Sequence, residues 1–263
     1  MGHDARLARA QEQIGLETSA QLELEAELEP EGFLKDFDVR VGMLAAVSPE
    51  YEGASKYEVD AVPYARISWR DRVVLRARSL DINLLKSGPL RAGPMLKSRG
   101  GRNDNRDRSL RGLGDVDRAF EAGAFLRFKN GPYRIRVNAL FDVADAHEGA
   151  IVEMRAGVRI PLSKLWFTLQ LSSTWADGDY MSSFFGVSAL QSRRSILRRF
   201  NAEAGFKDVR LAVGSRLEIT EHISAVTSLG YSRLLGDAAD SPIVADHGER
   251  DQFFAAFGAT YRF

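Results

Sequence analysis

Acidic side chains and one histidine gather in a single segment near the end of the chain. The segment contains Asp237, Asp240, Asp246, His247, Glu249 and Asp251. Carboxylate oxygens are the ligands that hard divalent cations take in proteins, and an Asp-His pair such as Asp240 with His247 can move a proton. Because the spacing of the acids follows no recognised ligand period, solvated loop acids are the favoured interpretation. We therefore predict no catalytic, cofactor-binding or metal-binding residues.

Charged residues, mostly arginines, occupy alternate positions within several otherwise apolar segments. Arg134 and Arg136, for example, alternate with Tyr133, Ile135 and Val137. In a strand this spacing puts the charges on one face and the apolar side chains on the other. The candidate lumen-lining residues are Arg76, Arg78, Arg134, Arg136, Glu153, Arg155 and Arg159. A narrow pore with such a lining would favour anions or small polar solutes.

A basic run and a glycine-containing turn follow one another in the first half of the chain. The basic run is Arg99, Arg102, Arg106, Arg108 and Arg111, interleaved with Asp104 and Asp107. Guanidinium groups could bind lipopolysaccharide phosphates through paired hydrogen bonds, although a solvated loop is the favoured interpretation. Residues 112–117, GLGDVD, lack the Lys-Ser/Thr of a phosphate-binding loop, so we predict a turn there.

The overall composition excludes several classes of protein. The 36 basic and 36 acidic residues give zero net charge, so nucleic-acid binding is not expected. The absence of cysteine excludes disulfides, thiolate metal sites and cysteine nucleophiles. A mean hydropathy of −0.23, with no long apolar run, would by itself indicate a soluble protein.

The elements that carry these residues repeat with a period of two, which is typical of strands with unlike faces. Twelve strands are predicted, of which the third and fourth are the least regular, and ten remain possible. We place them at about 37–47, 58–69, 72–78, 80–85, 89–97, 118–129, 132–144, 150–161, 164–175, 206–219, 222–234 and 252–263. Short turns alternate with long polar connections at residues 98–117, 176–205 and 235–251.

This asymmetry of the connections decides between two architectures. A soluble barrel turns its apolar face inward, whereas a transmembrane barrel turns it to lipid and keeps charges in the lumen. Long strands, short turns at one end and long loops at the other favour the second. We therefore predict an all-β protein, a closed antiparallel transmembrane β-barrel over residues 33–263, with a soluble β-barrel ligand binder as the alternative.

Residues 1–32 are strongly acidic and differ from the remainder. We expect a poorly ordered N-terminal arm or a short helix there. The segment lacks the apolar region of a signal peptide, which taken literally indicates a cytoplasmic protein. A leader that was already processed, or a wrongly placed start, would explain the same absence, so the start site is doubtful.

The chain ends on an aromatic residue. Phe257, Tyr261 and Phe263 share one face of the last predicted strand. This ending looks like the C-terminal insertion signal of bacterial outer-membrane barrels, which barrel-assembly machinery reads. An ordinary edge strand would explain the alternation but not the terminal aromatic.

Longer stretches of sequence resemble one family. Residues 231–244 read YSRLLGDAADSPIV, and SPEYEG at 48–53, GLGDVD at 112–117, YM at 180–181 and FGV at 185–187 accompany them. In this order and spacing, over about residues 36–263, they resemble the MltA-interacting protein (MipA/OmpV) family. The residues of the family-motif loop are Gly236, Asp237, Asp240, Ser241 and Pro242.

The resemblance implies a barrel in the outer membrane of a Gram-negative bacterium, in contact with its lipid and lipopolysaccharide. It implies a non-enzymatic scaffold that joins a lytic murein transglycosylase to a murein synthase, or an envelope structural protein. It supplies no catalytic motif. A narrow porin-like channel for small polar or anionic solutes remains the alternative from the lumen arginines.

Overall fold

The computed structural model describes residues 36–263. The N-terminal arm predicted for residues 1–32 lies outside the described residues, as do residues 33–35 of the predicted barrel. The described strands are β1 (Phe37–Pro49), β2 (Tyr57–Trp69), β3 (Val73–Arg76), β4 (Ser79–Ile82), β5 (Leu85–Ser87), β6 (Leu90–Arg99), β7 (Ala119–Asn130), β8 (Tyr133–Asp142), β9 (Ala150–Leu162), β10 (Leu165–Ala176), β11 (Gly205–Glu218), β12 (Ile223–Leu234) and β13 (Asp251–Arg262).

The strands form one antiparallel sheet that closes on itself. The first strand pairs with the last, from Arg40 with Arg262 to Val47 with Ala255, and β4 pairs with β6 to complete the ring. The short β5 continues β4 along the same edge of β6, so the ring itself has twelve strands. The predicted twelve-stranded barrel is therefore confirmed, and the predicted strand 80–85 is divided in two by residues 83–84.

The two faces of the wall have opposite chemistry. On β8, the apolar side chains of Tyr133 and Phe141 are 58% and 59% exposed, whereas Arg134 and Arg136 are 5% and 7% exposed. Exposed apolar and buried charged side chains alternate in this way because successive strand residues point to opposite faces. The apolar outer face suits lipid, as in transmembrane barrels, and the alternative of a soluble barrel with an apolar interior is wrong.

All long connections lie at one end of the barrel, which we call the loop end, and the tight turns that follow β2, β5, β7, β9 and β11 lie at the other, the turn end. The loop end carries four short helices that the period-two pattern did not predict. They are α1 (Gly178–Phe185), α2 (Ala189–Arg194), α3 (Gly236–Asp240) and α4 (Pro242–Ala245). Across residues 36–263, no helix has the length and apolar character required to cross a membrane.

The wall is incomplete above the β3–β4 hairpin. β2 pairs with β1 along its whole length, but it pairs with β3 only from Arg66 to Trp69. Within the described chain, residues 57–64 of β2 therefore have no strand on that side, and we call this gap the wall notch. The β6–β7 loop lies against the notch, since Arg106 Nη2 donates to both carboxylate oxygens of Glu58 at 2.9 and 2.7 Å. Exposed backbone groups are costly in lipid, so a polar cover is needed there.

Candidate functional site

Inward side chains of six strands, β3, β4 and β6 to β9, form a continuous ionic network, which we call the lumen network. Its first part centres on Asp81 of β4, which is 1% exposed. Asp81 Oδ2 accepts from Arg76 Nη1 and from Arg136 Nη1, both at 2.8 Å. Arg136 lies on β8, three strands away around the ring, so this contact links distant parts of the wall. Arg136 Nε also donates to Asn138 at 2.7 Å, which leads to the second part.

The second part centres on Glu153 of β9. Its Oε1 accepts from Lys97 Nζ at 2.6 Å and from Arg99 Nη2 at 2.9 Å. Its Oε2 accepts from Asn138 at 2.9 Å and from Arg155 at 2.8 Å. Four donors on one buried carboxylate satisfy its lone pairs, which is the condition for a stable buried charge.

The network continues toward the loop end through Glu121 of β7. Arg99 donates to both Glu121 oxygens, and His147 Nε2 lies 3.2 Å from Oε1. The His147 ring in turn contacts Tyr180 of α1, with centroids 5.0 Å apart. The lumen network therefore reaches from mid-barrel to the loop helices.

The opposite wall of the lumen is apolar. Inward residues of β1, β2, β12 and β13 pack into one cluster, Leu44, Ala46, Val62, Val226, Phe254 and Ala256, with Tyr64 against it. Gly230 makes room for this packing, because a Cβ there would overlap the Phe254 ring at 1.9 Å. Side chains thus fill much of the lumen from both walls.

The loop helices pack into the mouth of the barrel and form a lid. Tyr180, Met181 and Phe185 of α1 are each 2% exposed or less. They share an apolar core with inward wall residues and the other loop helices, namely Met95, Phe125, Leu140, Ile151, Ala176, Ala202, Leu234, Ala238, Ala239 and Val244. Ser241, which precedes α4, donates from Oγ to the Phe185 carbonyl at 2.6 Å and ties the two helical loops together.

A second apolar core is built from four connections. It consists of Tyr51, Ala54, Leu110, Leu113, Val187, Leu197 and Ile243. Burial raises the pKa of the Tyr51 phenol, whose hydroxyl lies 3.1 Å from Ser109 Oγ. The lid is therefore a folded layer and not a set of separate loops.

Between the lid and the lumen network lies a cavity of about 940 Å³, counted to its open mouth. Its charged lining consists of Lys97, Arg99, Arg102, Arg155, Lys207 and Arg210 with Glu52, Glu153 and Asp208. Tyr180 and Phe184 of α1 also line it, with stacked rings 4.6 Å apart. Ligand sites in other proteins are likewise concave and combine aromatic side chains with a few charged groups.

The β6–β7 loop has a second charged contact, between Lys56 and Asp107. Lys56 Nζ donates to Asp107 Oδ2 at 2.6 Å, and Ser109 donates from its backbone N to Oδ1 at 2.8 Å. These bonds, that of Lys56 foremost, lower the pKa of Asp107 from 3.8 to about 2.

The lowered pKa of Asp107 gives this contact a defined pH range. Because the folded pKa lies below the ordinary one, its contribution to loop stability is complete above about pH 4 and is lost as the pH falls through about 2. In a carboxyl-carbon NMR titration of the folded barrel, we expect an Asp107 midpoint of about 2. Lys56→Ala should move that midpoint up toward 3.8. A wild-type midpoint already at the ordinary value would contradict this assignment.

The structure brings four of the seven candidate lumen-lining residues into the lumen network. These are Arg76, Arg136, Glu153 and Arg155. The other three are also buried and make contacts of their own. Arg78 donates to the Ser98 carbonyl, Arg134 to the Gly131 carbonyl at 2.5 Å, and Arg159 lies over the Trp166 ring at 3.4 Å.

The acidic segment does not form a cluster. Asp237 accepts from the Glu203 backbone N at 2.7 Å, Asp240 pairs with Arg250 at 2.9 Å, and His247 is exposed. Within residues 36–263, no group of three or more potential ligand side chains could hold a metal ion. In the family-motif loop, Gly236, Asp237 and Asp240 belong to α3, Ser241 joins the two helices, and Pro242 is the first residue of α4.

Of the three aromatic residues at the chain end, Phe257 lies on the outer face in the middle of β13, and Tyr261 and Phe263 lie near the turn end. Phe257 is 64% exposed, and the rings of Tyr261 and Phe263 lie 4.9 Å apart. Recognition of these residues by assembly machinery stays a prediction.

The solvated loop expected for the basic run is wrong for its first members. Arg99 ends β6 and points inward, and Arg102 is 4% exposed, whereas Arg108 and Arg111 are exposed. Four lumen residues were not predicted from the sequence, namely Asp81, Lys97, Arg99 and Glu121. Asp81, Lys97 and Glu121 lie within predicted strands, and Arg99 lies two residues beyond the end of one. The predicted strand ends at residue 97. Extending its alternation by two residues would have placed Arg99 on the inward face.

The chain is similar in sequence to one protein family and to an outer membrane protein of Escherichia coli. The family model described as MltA-interacting protein MipA matches residues 41–263. A protein of Escherichia coli strain K12 named outer membrane protein YiaT is 25% identical over 160 residues, which are 61% of this chain. The match spans 63% of that relative, so this chain covers less than two thirds of its length.

Solved structures with similar shape are more distant in sequence. A bacterial polysaccharide outer membrane secretin has a TM-score of 0.48 at 13% identity, covering 86% of this chain and 98% of the other. An outer membrane channel from Pseudomonas putida F1 has a TM-score of 0.45 at 12% identity, covering 91% and 98%.

Proposed function

From the premise that this chain belongs to the MltA-interacting protein MipA family, an outer-membrane barrel family, we propose that it is a non-enzymatic envelope scaffold that binds murein-remodelling enzymes. The chain is an outer-membrane β-barrel of this family. The proposed partners are a lytic murein transglycosylase and a murein synthase.

The observation that carries the proposal is the filled lumen. The lumen network crosses the interior at mid-height, and the lid packs into the mouth above it. A small barrel filled by its own side chains has no wide path for solutes. The surfaces that a protein partner can reach are therefore the turn end and the outer loops.

The turn end, which faces the periplasm in outer-membrane barrels, offers a charged surface for such a partner. Asp71 in the β2–β3 turn lies 3.2 Å from both Lys86 and Arg91, and Arg70 pairs with Asp36 at 2.7 Å. These side chains are partly exposed, so a partner can reach them. Exposed charges at an interface steer association and set specificity.

The test is capture of a purified lytic murein transglycosylase by the full-length barrel in detergent. The variant Arg70→Ala with Lys86→Ala should reduce capture at least tenfold, since it removes two cations of the turn end. The matched control, Arg193→Ala with Arg194→Ala in α2, changes the same number of charges at the loop end and should leave capture unchanged. If wild type captures no enzyme, the scaffold proposal fails.

Insertion by barrel-assembly machinery is part of the same proposal. The exposed Phe257, Tyr261 and Phe263 form a strip on the outer face of β13 and at its end, where lipid or an assembly factor can reach them. Of the basic run, Arg108 and Arg111 are the residues proposed to contact lipopolysaccharide. They are exposed, whereas Arg99 and Arg102 are buried.

A second candidate function is a gated channel for small anions. It is favoured by the excess of cations over acids that line the cavity under the lid. Steady conductance by the wild-type barrel in a planar bilayer would favour the channel over the scaffold.

A further inference from the structure

Arg102 is a buried cation that forms no ion pair within residues 36–263, although Asp104 and Asp115 attract it from a greater distance. It follows β6 in the β6–β7 loop, where its backbone pairs with Val116, and its side chain lines the cavity. Its Nη1 donates to the Phe184 carbonyl at 2.5 Å, and its Nε is buried without a hydrogen-bond partner. None of the ion pairs formed within residues 36–263 includes Arg102. Burial lowers its pKa to about 10, which still leaves the group charged at neutral pH.

The acids that line the cavity are already engaged by other cations. Glu153 accepts from Lys97, Arg99 and Arg155. Lys207 donates to Glu52, and to Asp208 at 2.8 Å. No lining carboxylate therefore remains for Arg102 within the described chain, although a buried charge is costly unless it is paired.

We propose that the cavity under α1 is a binding site for a small organic carboxylate, whose carboxylate group pairs with the Arg102 guanidinium. The planar guanidinium presents parallel N–H donors that match the two oxygens of a carboxylate. The stacked rings of Tyr180 and Phe184 lie on the same cavity and supply an apolar surface for the remainder of the ligand. The site therefore selects an acid that carries an apolar or aromatic part.

The cavity site is independent of the proposed scaffold function. It lies under the lid at the loop end, whereas the surface proposed for murein enzymes lies at the turn end. The purified barrel alone is sufficient to test it, so failure of either proposal leaves the other standing.

The test is calorimetric titration of the full-length barrel in detergent with benzoate as probe. We expect one benzoate per barrel, with benzyl alcohol, the uncharged analogue, binding at least tenfold more weakly. Inorganic phosphate, which lacks the apolar part, should compete poorly. The proposal is overturned if benzyl alcohol binds as well as benzoate, or if phosphate binds and benzoate does not.

The variant Arg102→Gln removes the charge, and we expect it to weaken benzoate binding at least tenfold. The matched control is Arg108→Gln, an exposed arginine of the same loop, which should bind as wild type does. Wild-type affinity in Arg102→Gln would also overturn the proposal. If that variant does not show the heat-modifiable migration of a folded barrel, Arg102→Lys, which keeps the charge, should fold and bind benzoate more weakly than wild type. Unchanged affinity in Arg102→Lys would then overturn the bidentate contact.

Discussion

Replacing Glu153 by glutamine should lower the free energy of unfolding of the barrel by about 3–5 kcal/mol, the usual cost of breaking a buried ion pair by removing one partner. The substitution keeps the size of the side chain but removes the carboxylate that pairs with both Lys97 and Arg99. Both cations are 5% exposed or less, so little solvent is available to replace the lost contact. The measurement is the urea midpoint of the detergent-solubilised barrel, followed by heat-modifiable migration.

Two further variants separate lost pairing from general damage. Glu221→Gln changes an exposed acid in a turn at the turn end and should leave the midpoint unchanged. Glu153→Gln combined with Lys97→Gln should recover part of the loss, because it removes the cation that the first change leaves unpaired. Additive losses in this double variant would contradict the network as described.

The barrel itself was predictable because a period of two depends only on neighbouring residues. The alternation of Arg134 and Arg136 with apolar residues fixes one lipid face and one lumen face without any knowledge of which strands meet. Mean hydropathy indicated a soluble chain for the same reason, since half of every strand faces a polar lumen. Each predicted strand end lies within three residues of the observed one.

The pairing of lumen residues was not predictable from the same pattern. Asp81 and Arg136 are 55 positions apart and meet because β4 and β8 are three strands apart in a closed ring. That contact requires the strand order, the register and the short β3–β4 hairpin together. A sequence pattern assigns Asp81 to a face but cannot name its partner.

The lid was also beyond prediction, for a different reason. Residues 176–205 look like a long polar loop because α1 and α2 are each shorter than the window over which a helical period is visible. Their apolar residues become a core only when the loops of four hairpins meet, and Ile243 and Tyr51 come from opposite ends of the chain. The family motif at residues 236–242 marked this region without revealing that Ser241 holds α1.

Removal of the lid should convert a barrel that shows no conductance in planar bilayers into one that conducts anions. Ala176 and Gly205 are paired neighbours at the ends of β10 and β11, so a linker of about four residues can replace residues 178–203 without disturbing the strands. The wild-type barrel should show no steady conductance in planar bilayers, because Tyr180, Met181 and Phe185 fill its mouth. The matched control is again Arg193→Ala with Arg194→Ala, which alters the lid surface but keeps its core.

Selectivity of the lidless barrel follows from the charges beneath the lid. Toward the turn end, the buried inward side chains include Arg40, Arg66, Arg134, Arg159 and Arg216. Asp38 pairs with Arg40 and Arg66 at 3.1 and 3.4 Å, so one carboxylate faces two of these five guanidinium groups. A lumen lined by arginines lowers the barrier for anions and raises it for cations. In a salt gradient the reversal potential should therefore report anion preference.

Each outcome of the conductance experiment assigns the seal to a part of the molecule. A folded lidless barrel that stays silent would place the seal in the lumen network and not in the lid. Conductance by wild type would instead remove the basis of the scaffold proposal and favour the channel. Should the deletion prevent folding, Tyr180→Ala with Phe185→Ala keeps the loop connected, and brief openings in this variant are expected because both side chains belong to the buried core that closes the mouth.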